Sequence, residues 1–376
     1  MAENEFVVTP WEVSGEIDYE KLITRFGTQK IDDALKERIK KDFGELHFMI
    51  ERDLIFSHRD LIEYLEAFEK KEPIYLYTGR GPSGKIHLGH MIPLMFTKWL
   101  QDMTGATLLF QFTDDEKFLF KDKLSRKETL DYAYENMLDV IALGFKPENT
   151  KFIIDTQNAK TMYPLSLEVA KKLTLSTAKA VFGFENHTNV GSIYFTSMQT
   201  VPAMLPTIIE GKPTRVLIPC AIDQDPHFRV TRDIIPKLGY PKPALIHSKM
   251  MPSLRVAGKM SASDEESAIY TTDSEETVNK KVARAFTGGR ATLEEQKKLG
   301  GNPDICSVCA YFKFFFEPNT QKLEKRLNAY RKGKVMDGEN KQELAKRINK
   351  FLKQHQAKRE KARSKLKKYL FKDIVV

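Results

Sequence analysis

Short apolar runs alternate with amphipathic stretches along the middle of the chain. The apolar runs, rich in β-branched and aromatic residues, predict buried strands at 74–78, 106–112, 151–154, 215–219 and 244–247. Apolar positions at helical spacing between these runs predict helices at 88–102, 126–143, 164–180 and 224–237. Strands and helices that alternate in this way are typical of a doubly wound parallel sheet. The pattern therefore predicts an α/β, Rossmann-like domain, with its ligand site at the carboxyl ends of the strands.

The flanking regions have other patterns. Residues 1–72 are predicted to form an N-terminal extension, with a helix from Asp32 to Phe43. A second, short helix is predicted to run through Leu61, Leu65 and Phe68 after an N-cap in the stretch Ser57-His58-Arg59-Asp60. The predicted order of domains is this extension, a Rossmann-like domain at 73–263 with an insertion at about 181–212, a helical domain at 264–364 and a C-terminal strip at 365–376.

Charge is concentrated at the C-terminal end of the chain. The net charge of the 376 residues is +9, and residues 321–376 carry 19 lysines and arginines against 6 acidic residues. An apolar stripe at helical spacing runs through the same region, so it is predicted to be helical. A basic helical tail indicates a nucleic-acid partner, although a solvated lysine-rich helix has the same composition.

Bulk composition narrows the class of protein. A hydrophobic content of 41% predicts a folded chain with two or three domains. No segment has the length and low polarity of a membrane span, and the polar N-terminus does not resemble a secretory signal. Three cysteines predict a reducing compartment, hence a cytoplasmic protein without membrane association. Cys306 and Cys309 have the spacing of half a zinc site, but no second pair completes it, which favours two core thiols.

A glycine-rich loop follows the first predicted strand of the α/β region. Gly79, Gly84 and Lys85 match seven positions of a nucleotide-binding P-loop, but Ile86 stands where magnesium requires a hydroxyl. The loop also leads into a helix whose first turn would contain His87, Gly89 and His90. Free N–H groups at the start of that helix could hold a phosphate. A P-loop NTPase that binds RNA, using Lys85 and Asp155, stays open as an alternative at this point.

Two motifs resolve the ambiguity. His87-Leu88-Gly89-His90 resembles the HIGH motif of class I aminoacyl-tRNA synthetases, and Lys259-Met260-Ser261-Ala262-Ser263 resembles their KMSKS motif in the same order along the chain. Further matching stretches include 26–32, 57–60, 75–83, 113–117, 218–226 and 239–243. Over nearly its whole length the chain resembles the archaeal and eukaryotic branch of the tryptophanyl-tRNA synthetases.

The resemblance implies an ATP-dependent reaction. Tryptophan would be activated with ATP and Mg²⁺ to an adenylate and then transferred to tRNA(Trp), by a homodimer whose helical domain binds the anticodon. The catalytic residues that the resemblance implies are Arg80, His87, His90, Lys259, Ser261 and Ser263. The ATP-binding residues that it implies are Arg80, His87, Gly89, His90, Lys259, Met260 and Ser261.

The resemblance also implies a pocket for L-tryptophan. Tyr77 and Gln111 would accept a hydrogen bond from the indole N–H, since an indole only donates. Further roles are implied for the ammonium site (Glu116, Gln199 and Gln224), the carboxylate site (Lys117) and the pocket lining (Gly79, Cys220 and Phe228). A tyrosyl-tRNA synthetase is the nearest alternative, but no acidic residue follows Gln199 at the spacing that would recognise a phenol.

Overall fold

A mixed sheet forms the centre of the molecule, for which the computed structural model describes residues 7–8, 10, 13–15, 17–255 and 266–375. The strands within these ranges are β1 (Val7–Val8), β2 (Val13–Ser14), β3 (Gln29–Lys30), β4 (Ile55–Arg59), β5 (Ile74–Arg80), β6 (Thr107–Phe112), β7 (Thr150–Ile154), β8 (Arg215–Ala221) and β9 (Ala244–Ser248). β1 and β2 pair with each other, and the large sheet has the order β3-β4-β9-β8-β5-β6-β7. The five strands from β9 to β7 are parallel, whereas β3 and β4 extend the sheet antiparallel at one edge.

Helices cover both faces of the sheet and form a separate C-terminal group. The first set is α1 (Tyr19–Phe26), α2 (Asp33–Phe43), α3 (Phe48–Glu51), α4 (Leu61–Glu69), α5 (Leu88–Thr104), α6 (Asp114–Phe120), α7 (Arg126–Ala142), α8 (Ala159–Ala170) and α9 (Leu175–Phe182). The second set is α10 (Val190–Met198), α11 (Leu205–Glu210), α12 (Asp225–Ile234), α13 (Glu275–Ala283), α14 (Leu293–Leu299), α15 (Ser307–Tyr311), α16 (Thr320–Arg331) and α17 (Asp337–Ala362). Short 3₁₀ turns lie at Val201–Ala203, Ile222–Gln224, Ile235–Leu238 and Leu366–Tyr369, and a π-helix lies at Phe312–Phe316.

The predicted Rossmann-like α/β fold is confirmed. Successive side chains of a strand point to opposite faces, and both faces of the parallel strands are apolar. Leu76 and Leu108 pack in the core on one face, while Tyr77 and Leu109 pack in the core on the other. β5 lies between β6 and β8, which places its carboxyl end at the centre of the five parallel strands.

Two local predictions need correction. The helix predicted after Ser57-His58-Arg59-Asp60 is present as α4, with Asp60 as its N-cap residue in a left-handed backbone conformation (φ 48°), but Ser57, His58 and Arg59 belong to β4 and not to the cap. Their polar side chains are held inside the fold by distant partners, so hydrophobicity alone does not reveal the strand. The predicted helix at 164–180 is two helices, since α8 ends at Ala170 and α9 begins at Leu175. Thr174 caps α9, because its side chain accepts a hydrogen bond from Thr177 N.

The C-terminal helices are attached to the α/β region by buried polar contacts. His355 Nε2 on α17 lies 2.9 Å from Asp139 Oδ1 on α7, and Arg359 on α17 donates to Glu135 at 2.7 Å. Beyond α17 the chain lies along β7, where Phe371 N donates to Phe152 O at 2.8 Å. The domain boundaries drawn from the sequence stay predictions, but these contacts couple α17 directly to the α/β core.

The remaining sequence features have simple structural counterparts. Cys220, Cys306 and Cys309 are buried free thiols, and Cys306 Sγ accepts a hydrogen bond from Cys309 N at 3.4 Å. Across the described ranges, no group of three or more histidine, cysteine or acidic side chains is placed to hold a metal ion. No helix in this part of the chain is both long enough and apolar enough to cross a membrane.

Candidate active site

A cavity of about 280 Å³ opens at the carboxyl ends of β5 and β8. Its lining includes eleven of the residues predicted from the sequence, namely Gly79, Arg80, His87, Gly89, His90, Glu116, Lys117, Gln199, Cys220, Gln224 and Phe228. Lys259, Met260, Ser261 and Ser263 lie outside the described residues. The rule that a ligand site lies at the carboxyl ends of parallel strands therefore located the cavity correctly.

Two glycines keep the loop after β5 close to its neighbours. A Cβ atom on Gly79 would lie 2.8 Å from Gln111 O, and one on Gly81 would lie 2.0 Å from Lys117 Cε. At Gly79 the backbone of β5 therefore packs directly against the backbone of β6, and at Gly81 the loop packs against the side chains of α6. This close approach brings the residues on either side of the loop into one cavity.

The predicted HLGH motif lies at the start of α5. His87 precedes the first helical residue, its backbone N–H donates to His90 Nδ1 at 3.3 Å, and the two imidazoles stack with centroids 3.5 Å apart. The segment after residue 265 fixes this turn, because Leu88 N donates to Ile269 O and Thr271 N donates to Ile86 O, each at 2.9 Å. The histidines are thus held at a helix start that faces the cavity.

Arg80 is the largely buried cation of the cavity. Within the described residues, its Nε and one terminal nitrogen are buried and have no hydrogen-bond partner. Burial lowers the pKa of Arg80 to about 10, and the nearby Glu116 partly opposes this effect. A buried guanidinium with unused donors is suited to an anion, and phosphate matches its planar donor geometry.

Glu116 and Lys117 form a charged pair in the cavity wall. Lys117 Nζ donates to Glu116 Oε1 at 2.5 Å, and Thr113 Oγ1 donates to Glu116 Oε2 at 2.7 Å. Burial raises the pKa of Glu116, but the charge and hydrogen bond of Lys117 outweigh it, and the net effect is a lowered pKa. One negative and one positive group are therefore presented side by side at the cavity.

Tyr77 and Gln111 are fully buried and lie behind the cavity lining. The Tyr77 hydroxyl donates to Gln111 Oε1 at 2.5 Å and accepts from Gln199 Nε2 at 2.7 Å. Phe228 packs edge-on against Tyr77 with ring centroids 5.7 Å apart. The structure thus joins two predicted indole acceptors to a third predicted residue, Gln199, which does line the cavity.

A buried ionic cluster fixes the turn that carries Gln224. The next residue, Asp225, accepts from Arg59 Nε at 2.8 Å and lies 3.2 Å from His247 Nε2. Burial raises the pKa of Asp225, but the hydrogen bonds from His247 and Arg59 bring it well below its usual value. The antiparallel strand β4, which supplies Arg59, is therefore part of the support of the site.

Several residues at the site were not identified from the sequence. Lys249 directly follows β9 and lines the cavity, so its position just past a strand end was the available signal. Asp155 directly follows β7 and accepts from Gln111 Nε2 at 2.9 Å through each carboxylate oxygen. The sequence associates Asp155 only with the P-loop alternative.

The P-loop alternative is not supported. Lys85 is exposed and is absent from the cavity lining, while Ile86 is fully buried. The lysine and hydroxyl that such a loop needs are therefore not available at a common site.

Similarity to known proteins is extensive. Residues 69–353 match the family model described as class I tRNA synthetases (W and Y). The chain is 50% identical over 367 residues to the tryptophan–tRNA ligase of Pyrobaculum calidifontis, covering 98% of each chain. It is 47% identical to that of Sulfolobus acidocaldarius, over 98% of this chain and 96% of the relative. The tryptophanyl-tRNA synthetase structure from Giardia lamblia superposes with a TM-score of 0.88 at 37% identity, covering 95% of this chain and 97% of that one.

Proposed function

The chain belongs to the class I tRNA synthetases for tryptophan and tyrosine, and from that premise we propose how its cavity carries out the reaction. The reaction joins L-tryptophan to tRNA with ATP as the second substrate. In the first step a tryptophan carboxylate oxygen bonds to the α-phosphorus of ATP, and the bond from that phosphorus to the pyrophosphate oxygen breaks. In the second step a ribose hydroxyl at the tRNA 3′ adenosine takes the acyl group and releases AMP. We assign the 2′ hydroxyl by analogy with class I enzymes.

The pairing of Glu116 with Lys117 is the observation that carries the amino-acid site. An α-amino acid presents an ammonium and a carboxylate side by side, which is the complement of this pair. We assign the ammonium to Glu116, with Gln199 and Gln224 as further acceptors, and the carboxylate to Lys117. Binding would then exchange one ion pair for two, so neither protein charge is left without a partner.

The indole ring is assigned to the surface formed by Gly79, Cys220 and Phe228. Tyr77 and Gln111 lie directly behind that surface, and each oxygen keeps a lone pair beyond the hydrogen bonds described above. Gln199 now donates to Tyr77, so we propose that it turns toward the substrate ammonium and exposes the Tyr77 hydroxyl to the indole N–H.

The triphosphate is assigned to Arg80 and to the turn that carries His87, Gly89 and His90. These groups supply positive charge and N–H donors at a helix start, and phosphoryl transfer depends on such alignment and charge neutralisation. Lys259, Met260, Ser261 and Ser263 are assigned to the same triphosphate on the strength of their motif. Mg²⁺ neutralises phosphate charge, but the described residues offer no cluster that would hold it; we therefore propose only that it enters with ATP.

The charge and the exposed apolar side chains of the surface are the basis for proposing macromolecular partners. The basic C-terminal helices support binding of tRNA(Trp), with 264–364 as the anticodon-binding domain. Leu167, Leu175 and Val190 are exposed apolar side chains on three successive helices, and we assign them to the interface of a homodimer. The three unpaired thiols support a cytoplasmic location.

Amino-acid-dependent exchange of pyrophosphate into ATP tests the assignment. Tryptophan should support exchange, tyrosine should support it far more weakly, and RNA should not be needed. The tyrosyl alternative predicts the reverse preference, and an NTPase would hydrolyse ATP without exchange. Light scattering before and after Leu167→Glu tests the dimer face, since the mass should halve.

The indole assignment has its own test. The substrate ratio is defined as kcat/KM for tryptophan divided by kcat/KM for 3-benzothienylalanine, in which sulfur replaces the indole N–H. Gln111→Ala should lower this ratio by about 10-fold, because one hydrogen bond to the N–H is worth roughly 1–1.5 kcal/mol. Tyr77→Phe should lower it less, since the ring packing stays. If neither variant changes the ratio, the indole nitrogen is recognised elsewhere.

A further inference from the structure

Gln111 is oriented by a carboxylate that the proposed reaction does not use. Its Nε2 donates to Asp155 Oδ1 and Oδ2, at 2.9 Å each, while its Oε1 accepts from the Tyr77 hydroxyl. Asp155 is 1% exposed and follows the last residue of β7. The amide therefore has its nitrogen toward Asp155 and its oxygen toward Tyr77.

The orientation matters because an amide has nearly the same shape when it is flipped. In the flipped state Gln111 Oε1 would face the two Asp155 oxygens, whose one proton is engaged between Asp155 and Asp115, and the NH₂ group would face Tyr77. An indole N–H arriving there would then meet donors instead of an acceptor. The carboxylate of Asp155 thus selects the one orientation in which Gln111 can accept from the substrate.

Asp155 is itself fixed from the opposite side. Its backbone N–H donates to Phe112 O at 3.3 Å, which holds the end of β7 against β6. Burial raises the pKa of Asp155, and the hydrogen-bonded carboxyl of Asp115 raises it further. Two adjacent buried carboxyls share a proton instead of both ionising. The shared proton keeps acceptor oxygens available to Gln111 without requiring two buried negative charges.

We propose that Asp155 is a positioning residue for tryptophan selection, which holds the Gln111 amide with its oxygen toward the substrate indole. The inference rests on the proposed function, in which Gln111 accepts from the indole N–H. It assigns a role to a residue outside the cavity lining, at a position that the strand pattern marked only as the end of β7.

The test is the substrate ratio in Asp155→Asn, which keeps the shape of the side chain. An asparagine can present either oxygen or nitrogen to Gln111, so both amide orientations become available; with half of the molecules in each orientation the ratio should fall about 2-fold, less than in Gln111→Ala. The thermal midpoint should show that the variant is folded. Asp155→Ser is the second variant, because its hydroxyl can either donate to or accept from the Gln111 amide and so permits both orientations, and it should lower the ratio in the same way.

Two comparisons separate a loss of Gln111 orientation from a general loss of structure. Asp114→Asn is the matched control, since Asp114 is equally buried but accepts from Thr156 N at 3.1 Å and does not bond Gln111; its ratio should stay at the wild-type value. In the double variant Asp155→Asn/Gln111→Ala the ratio should equal that of Gln111→Ala alone, because Asp155 acts only through Gln111.

The outcomes distinguish a failure of this inference from a failure of the proposed function. A ratio that falls in Gln111→Ala but stays unchanged in Asp155→Asn or Asp155→Ser overturns the inference and leaves the proposed function intact. A further fall in the double variant also overturns it, because Asp155 would then act independently. An unchanged ratio in Gln111→Ala overturns the indole assignment itself.

Discussion

Replacing Arg80 by glutamine should separate two effects of its buried charge: the loss of folding stability and the contribution to the reaction with ATP. Within the described residues, two of its nitrogens are buried without a hydrogen-bond partner. Burial lowers the pKa of Arg80 to about 10 from 12.5, which corresponds to about 3 kcal/mol by which the folded protein disfavours the cation. In the proposed reaction the triphosphate offsets this cost when ATP binds.

Arg80→Gln is therefore expected to have opposite effects on stability and on activity. The free energy of unfolding without ATP should rise by about 1 kcal/mol, since the variant loses the desolvation cost but also loses packing of the arginine stem and attraction to Glu116. The kcat/KM for ATP in tryptophan-dependent exchange should fall about 100-fold, the usual effect of removing one donor from developing negative charge. Urea denaturation at pH 7 and the exchange assay measure the two quantities on one preparation.

Lys85→Gln is the matched control for this experiment. Lys85 is an exposed cation on the same loop and lies outside the cavity lining, so neither quantity should change. A loss of both stability and exchange in Arg80→Gln would show that the guanidinium is structural. Exchange at the wild-type rate would remove Arg80 from the triphosphate site.

Three further predictions concern charges elsewhere. Arg359→Ala should lower the free energy of unfolding, measured by urea titration, by about 3 kcal/mol, because Arg359 Nε lies 3.3 Å from the buried Asp139. Lys358 is exposed, so Lys358→Ala should change the same free energy by less than about 0.5 kcal/mol. Lys358→Glu with Lys361→Glu should weaken tRNA binding and reduce its salt dependence in filter-binding titrations, while exchange stays unchanged; equal affinity would mean that these lysines are only solvated. Burial raises the pKa of Asp115 to about 7 in the folded state, so the contribution of this carboxyl to stability should fall as the pH rises from about 4 to 7; urea titrations across this range should show that the free energy of unfolding of Asp115→Asn, relative to wild type, rises with pH.

The parallel strands could be predicted because their sequences carry the relevant information locally. Each of the five predicted runs is apolar on both faces, and each matches an observed strand to within a few residues. The carboxyl ends of parallel strands meet at one edge, so Gly79 and Cys220 could be placed near one another without knowledge of side-chain packing. The residue-by-residue roles came from the family resemblance, since spacing alone does not distinguish an ammonium ligand from a surface acid.

The missed features depend on partners far away in the sequence. β4 contains the buried Ser57 and the half-buried Arg59, polar residues that His247 and Asp225 bond across the fold. No window around Ser57 contains those partners, so the local pattern favours a helix cap. Asp155 was missed for a related reason, because a strand end is readable from the sequence whereas the side chain that faces it is not.

The polar groups assigned to tryptophan already satisfy one another, and this has a consequence for selectivity. Glu116 is bonded to Lys117, and Tyr77 is bonded to Gln111 and Gln199. A substrate must therefore replace hydrogen bonds that exist, so each contact contributes only the difference between the new bond and the old one. A wrong amino acid that breaks these bonds without replacing them leaves buried donors and acceptors unpaired, at a cost of about 1–3 kcal/mol each. The preference for tryptophan over another amino acid should thus come from the hydrogen bonds that the competitor breaks and does not replace. The ratio of kcat/KM between the two amino acids should therefore be larger than the affinity for tryptophan alone would indicate.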